Sequence, residues 1–419
     1  MTRLRNRGLW AAAGTLSLVA VAACTPGGGD EGGGGELTWA LGGSEAQPGG
    51  VHQKVAKLWS EENPDNPITI EVLPDEADQQ REQQALELQA EGSNFDVLGV
   101  DVIWTGEYSE NGWVESLEDV RDQIEPGSLP GAFESATWGG ELWAAPYNSN
   151  AGFLYYRTDL VKEPPKTWQE LCEMATTIGK KEGIGGFIGQ GSRYEGFVVN
   201  WLEYYWSAGG ELYNEDQSEV EFDTTLATQT TEFLAQAKES GCLAPGFNTA
   251  MEEEARNEFQ SGKAVFMRNW PYAYGLIKDD KASPIRDKFD IAPLPTMTGQ
   301  GTISALGGFN NAVSAFSDNK EAAKEFVVWA ATNEEVQKML ATEASVPPTL
   351  ASIYDQLGDD PVMALLGEVL PEAKPRPPAP QWNEISVEMQ RSLHPAYNGE
   401  GDPAEAADAV LEVLEGTVG

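Results

Sequence analysis

Leu37-Thr38-Trp39-Ala40-Leu41, helical spacing of apolar residues over 51–59, then Ile68-Thr69-Ile70-Glu71-Val72-Leu73: this opening decides the fold. The first run is short and apolar, the last alternates its faces, and the segment between has the period of a helix, so the three read as strand, helix, strand. Residues 77–91 are rich in Gln, Glu, Ala and Leu, which are good helix formers. Gly92 leads them into Phe95-Asp96-Val97-Leu98-Gly99-Val100, an apolar run suited to a buried parallel strand. Right-handed crossovers then give an α/β layer. Strands of this kind present ligand groups at their carboxyl ends, where Asp101 and Trp104 fall.

Beyond Gly139-Gly140 the pattern becomes a hairpin-like Glu141-Leu142-Trp143-Ala144-Ala145-Pro146, then Phe153-Leu154-Tyr155-Tyr156. The second run reads as a strand crossing into another domain, which places a hinge at 148–152. Thr167-Trp168-Gln169-Glu170 is a capping box opening a helix through Ile178. Further helices are expected at 197–207, 225–240, 252–261, 320–332, 333–341 and 403–414. The Gly-rich stretch 298–308 and the strand-like 309–315 mark a return to the first domain. Pro347-Pro348 and the segment 371–380 punctuate the remainder. A chain of 419 residues exceeds the usual limit for one core, so at least two domains are expected.

Composition narrows function. With 41% hydrophobic and 22% charged residues the chain is ordinary globular protein. Lys plus Arg number 27 against 67 Asp plus Glu, a formal charge of −40, and that field repels phosphate backbones and anionic lipid surfaces. No nucleic-acid partner is expected. The two histidines, His52 and His394, are far apart, which disfavours a His-rich zinc site or a Ser-His-Asp hydrolase. The loop beginning at Gly183 puts Ile188 where a dinucleotide fingerprint needs its last glycine, so the segment 183–189 reads as a plain turn. No Walker loop occurs. No metal, cofactor or catalytic residue is expected. Glu252 and Glu254 read as acids stabilising a helix start, with Glu253 kept as a polar cleft contact.

At the start of the chain Arg3, Arg5 and Arg7 precede an apolar run, 9–20, and Val21-Ala22-Ala23-Cys24. The run is too short to span a bilayer. The segment resembles a bacterial lipoprotein signal: 1–23 a signal peptide, Cys24 the acylated first residue, 24–36 a Gly-rich tether. Cys172 and Cys242 then remain, either bridged outside the reducing cytoplasm or separate buried thiols; a disulfide is the expectation taken.

Several tryptophans sit beside amides, acids or arginine: Trp104 near Asp101, Trp270 in Arg268-Asn269-Trp270-Pro271-Tyr272, and Trp382 between Gln381 and Asn383. Aromatic planes suit the C–H faces of a sugar, and planar polar groups suit its hydroxyl rim. Segments matching in order across the chain include Asp96-Val97-Leu98-Gly99-Val100-Asp101, Gly112-Trp113-Val114-Glu115-Ser116-Leu117, Gln190-Gly191-Ser192-Arg193-Tyr194-Glu195-Gly196, Ala305-Leu306-Gly307-Gly308 and Pro375-Arg376-Pro377. Together they resemble the substrate-binding lipoproteins of bacterial ABC sugar importers, most closely the trehalose/maltose-binding group.

That resemblance implies an α/β, two-lobe periplasmic-binding-protein fold, hinged, multi-crossover and maltose-binding-protein-like. Its lobes would be 37–149 with 306–345, and 150–305 with 346–419. It implies Asp101 accepting sugar hydroxyls, Trp270 as the stacking indole, Gly307 and Gly308 letting backbone approach the ligand, Arg376 reaching it from the second lobe, and Gln47 and Gln80 as first-lobe polar contacts. Asn148 and Asn150 stand where relatives place Tyr and Asp, and Phe309 where some have Trp, which departs from a close copy of maltose geometry. The implied function is a lipid-anchored, monomeric binding subunit on the extracytoplasmic face of the cell membrane. It would capture a disaccharide, trehalose or a related α-glucoside, by lobe closure and deliver it to ABC permease subunits. An extracellular glycosidase using paired carboxylates is the alternative.

Overall fold

The computed structural model describes residues 35–214, 217–377 and 379–418. Cys24, the signal segment and the tether up to residue 34 lie outside them. Leu37–Leu41 (β1), Ile68–Val72 (β2) and Val97–Asp101 (β3) pair in parallel in the order β2-β1-β3, joined by the helices Val51–Glu62 and Ala77–Gln89. Trp39, Val97 and Leu98 are fully buried, which is why these runs are apolar. Asp96 pins the layer: its carboxylate accepts the Thr38 N–H at 2.8 Å and the Ser317 hydroxyl at 2.5 Å.

The hairpin of Thr137–Trp138 (β4) and Glu141–Leu142 (β5) leads into Ala145–Ala151 (β6). One residue, Gly152, separates β6 from Phe153–Arg157 (β7), which belongs to a different sheet. That second sheet adds Gly185–Ile188 (β8), Ala264–Asn269 (β9) and Phe289–Ala292 (β10), in the order β10-β7-β9-β8. The chain returns through Ala305–Val313 (β11), which is antiparallel to both β3 and β6. Lys374–Pro375 (β12) pairs in parallel with the start of β11.

The helix Glu195–Ser207 is buried at every residue, as a helix apolar on all sides must be, yet it carries Asn200 and Glu203 inside. The capping box forms as the sequence predicts: Thr167 accepts the Glu170 N–H, and Glu170 accepts the Thr167 N–H. Three features differ from the sequence reading. In the segment read as a plain turn, Gly183 alone is the left-handed helix end, and Gly185–Ile188 is strand β8 because Phe187 and Ile188 are core residues. A long helix, Trp382–Tyr397, follows the proline-rich segment and runs through Pro395 near its end. Two short pieces of 346–419, Pro348 to Leu350 and β12, pair with first-sheet or neighbouring segments.

Cys172, on the helix Trp168–Glu182, is bridged to Cys242 across a separation of 70 residues. Cross-links of such length remove denatured-state entropy, so the Cys172→Ser/Cys242→Ser variant is expected to lose about 2–4 kcal/mol of stability, measured by denaturant unfolding.

Candidate functional site

A cavity of about 330 Å³ opens where β1 and β3 end, floored by β6 and β11 and walled on its other side by residues that follow β9 and start two helices. The floor is set by backbone. Asp101, the last residue of β3, lies opposite Phe309, which in turn lies opposite Asn148. The Asn148 carboxamide oxygen accepts the Phe309 N–H at 2.6 Å. Gly308 has φ +129°, and a Cβ there would fall 2.3 Å from the Asn148 carbonyl oxygen, so only glycine fits. A Cβ on Gly307 would lie 3.1 Å from the Trp270 ring; the missing side chain makes room for the indole.

Trp270 follows the last residue of β9, and the Arg268 guanidinium lies 3.9 Å from its ring centroid. Arg268 is held by Glu203 through bonds of 2.9 and 2.6 Å, both side chains being 1% exposed. Gln190 accepts from its third nitrogen at 3.1 Å. At the helix starts, the Tyr194 hydroxyl donates to Glu252 at 2.7 Å, and the Tyr272 hydroxyl to Glu253 at 2.7 Å. Arg376 joins the two walls, donating to Glu195 at 2.6 Å and to Asp101 at 3.3 Å. Trp382 Nε1 also donates to Glu195, at 3.1 Å.

Electrostatically the lining is acidic. Burial raises Glu45 to about 7, with Glu253 and Asp75 adding repulsion. Beside the cavity, burial and the nearby Glu195 raise Asp78 to about 7. Burial also raises Asp101, though Arg376 offsets part of it, and raises Glu252 against the Tyr194 bond. Burial pushes Glu253 the same way, but Arg256 and Tyr272 outweigh it and its net shift is downward. His52 donates no compensating charge: burial lowers it to about 3, and Nδ1 lies 2.9 Å from the Tyr147 hydroxyl. Three buried lining atoms have no protein partner among the described residues, namely Gln80 Oε1, Asn311 Nδ2 and Arg376 Nε.

The cavity thus brings together Gln80, Asp101, Asn148, Asn150, Glu253, Trp270, Gly307, Gly308, Phe309 and Arg376. Gln47 is a correction: it is exposed and outside the lining, while Glu45, two residues earlier, faces the cavity. Trp104 and Trp382 are also elsewhere, Trp104 buried and stacked on Tyr108, Trp382 buried behind Glu195. Sequence reasoning missed Glu45, Tyr194, Glu195, Tyr272 and Asn311, and treated Glu252 only as a helix-start acid. Tyr194 and Glu195 lie within the matching segment 190–196 and Tyr272 within the Trp270 segment, the sequence signals that could have found them. Among the described residues no group of three His, Cys, Asp or Glu is arranged for a metal ion.

Residues 42–337 match the bacterial extracellular solute-binding protein family. A probable ABC transporter-binding protein of Deinococcus radiodurans is 33% identical, over 87% of this chain and 88% of that one. A maltotriose-binding protein of Pyrococcus abyssi is 25% identical over 82% of this chain and 73% of its own length. Among solved structures, maltose-bound T. maritima MalE3 is 34% identical with a TM-score of 0.84, covering 91% of this chain and 99% of that one.

An acid raised on folding is penalised as pH climbs from its unfolded value to its folded one, so Glu45 weakens the fold between about pH 4.5 and 7 and fully above. Glu45→Gln is therefore expected to raise the melting temperature at pH 8 and leave it unchanged at pH 4, measured by calorimetric scanning.

Proposed function

The chain belongs to the bacterial extracellular solute-binding protein family, with its two-lobe, maltose-binding-protein-like fold, and on that premise we propose that it is the substrate-binding component of an ABC sugar importer. Its ligand is a disaccharide, trehalose or a related α-glucoside, gripped between the lobes and passed on intact to a permease. Family members are binders rather than enzymes, so paired carboxylates in the cleft are hydroxyl acceptors and the glycosidase reading is set aside.

The observation that carries this reading is the mixed hydrogen-bonding demand of the buried lining. Gln80 Oε1 needs a donor, while Asn311 Nδ2 and Arg376 Nε need acceptors. A hydroxyl is both. Each such group left unpaired costs about 1–3 kcal/mol, so a polyhydroxylated ligand satisfies a need that an apolar one leaves standing. Trp270 supplies the plane for a sugar face, and the cavity lies at the small end of the roughly 300–1,000 Å³ range of small-molecule sites. The maltose bound to the T. maritima relative and the name of the P. abyssi relative support an α-glucoside.

Contacts from both lobes favour a closed state, which a permease distinguishes from the open one. We assign 37–149 with 306–345 to the first lobe and 150–305 with 346–419 to the second, apart from the short pairings noted above. Cys24 carries the lipid that tethers a monomer to the outer face of the membrane.

Titration calorimetry with trehalose, maltose and sucrose is expected to give saturable binding with no glucose released. Trp270→Ala and Asp101→Ala should each weaken it at least about tenfold, the loss of one buried polar or stacking contact; unchanged titration curves for both would remove the assignment. Labelled palmitate should be incorporated by the native chain and not by Cys24→Ala.

A further inference from the structure

Ligand stacking and lobe closure meet in one buried cluster. The Glu203 carboxylate, on the helix Glu195–Ser207, grips Arg268 and also accepts the Ala305 N–H at 3.1 Å and the Ser304 hydroxyl at 3.3 Å. Ser304 and Ala305 are where the chain re-enters the first sheet. The same Ser304 oxygen accepts the Gly152 N–H at 2.5 Å, and Gly152 is where the chain leaves that sheet. Arg268 closes the circuit from the other side: its guanidinium lies 3.9 Å from the Trp270 ring, and a Cβ on Gly152 would be 2.5 Å from its Nη2. One ion pair, 1% exposed on each side, therefore touches two of the three chain crossings, those at Gly152 and at Ser304, and the stacking indole.

We propose that Arg268 and Glu203 are positioning residues that couple occupation of the Trp270 face to movement at the two crossings, so that stacking a sugar and closing the lobes are one event. This rests on the sugar-binding reading above. A buried pair of this kind gains little stability over an apolar replacement, and its geometric exactness is what it contributes. When the lobes turn, backbone angles change at Gly152 and Ser304; the Ser304 hydroxyl and the Ala305 N–H must then follow Glu203 or lose it, and the Gly152 N–H must follow the Ser304 oxygen. Arg268 moves with Glu203, and with Arg268 the support beneath the cation–π contact to Trp270. A ligand on the indole thus biases which crossing geometry is held.

The test is a double-mutant cycle with trehalose, maltose and sucrose as probes, read by calorimetry for affinity and by electron–electron distance between spin labels, one per lobe, for closure at saturation. Ser304→Ala removes the shared hydroxyl without leaving a buried charge unpaired, so it keeps the fold where Glu203→Gln risks losing it. Ser304→Ala is expected to weaken the tightest-bound probe about fivefold and to lower the closed fraction at saturation, and its loss combined with that of Trp270→Ala is expected to fall short of the product of the single losses by at least about threefold. Ser304→Thr, which keeps the hydroxyl, should restore both readouts. Strictly multiplicative losses, or an unchanged closed fraction in Ser304→Ala, overturn the coupling while leaving the sugar reading intact. Absence of saturable binding of all three probes to the native chain overturns the sugar reading, and the coupling with it.

Discussion

The antiparallel pairing of β6 with β11 is the constraint on which the cavity depends. These two strands floor the cleft and are also continuous with the crossings to the second sheet, β6 through Gly152 and β11 through Ser304. Their register puts Asn150 opposite Gly307 and Asn148 opposite Phe309, with an irregularity just beyond. A shift of one residue would turn every one of these side chains to the other face. The glycines at 307 and 308 are therefore demanded twice, once by the indole that packs against the first and once by the backbone approach at the second.

Two arginines near this floor are almost wholly buried, and their bonding distinguishes their work. Arg268 has a partner for each of its three nitrogens, two on Glu203 and one on Gln190. Arg376 has both terminal nitrogens on carboxylates but an unpartnered Nε, and it lines the cavity. Burying a guanidinium is costly unless all its donors are met. Arg268 is accordingly a framework group packed against Trp270, whereas Arg376 keeps an unmet donor beside the cavity, which the proposed sugar ligand would satisfy.

The parts legible in sequence were those governed by local chemistry. The opening strand, helix and strand followed from apolar spacing, and the Thr167 capping box from four residues. Among the residues that line the cavity, Asp101 was legible from its place at the end of a strand and Trp270 from its polar neighbours, while Gly307 rested on the family resemblance. Gln47 failed because the loop between β1 and its following helix turns Glu45, not Gln47, inward, a choice made by the buried Ala46 and by the hydrogen bond from His52 N–H to the Glu45 carbonyl. Glu195 and Glu45 were hidden by abundance: where acids are everywhere, no single one stands out. Trp104 and Trp382 carried polar neighbours in sequence, but tertiary packing turned their rings into the core. The helix Trp382–Tyr397 was masked by the prolines before it and by Pro395 within it.

Abundance of acid also limits what the cleft's charge says about its ligand. With 67 acids in 419 residues, carboxylates would crowd any groove of this chain, so their number is not a signature of a cationic guest. The distribution of cations is the informative part. Arg376 is the lining's arginine and its terminal nitrogens are already committed to Asp101 and Glu195, while His52 is held neutral by burial. An anionic sugar would enter a lining whose carboxylates outnumber its cations, in a medium that screens them poorly. On the proposed sugar-binding reading a neutral polyol would avoid that cost, its hydroxyls donating to the carboxylates and to Gln80 and accepting from Asn311 and Arg376. The charge arrangement thus disfavours anions and the unmet hydrogen bonds favour hydroxyls, two independent constraints that support the proposed uncharged carbohydrate.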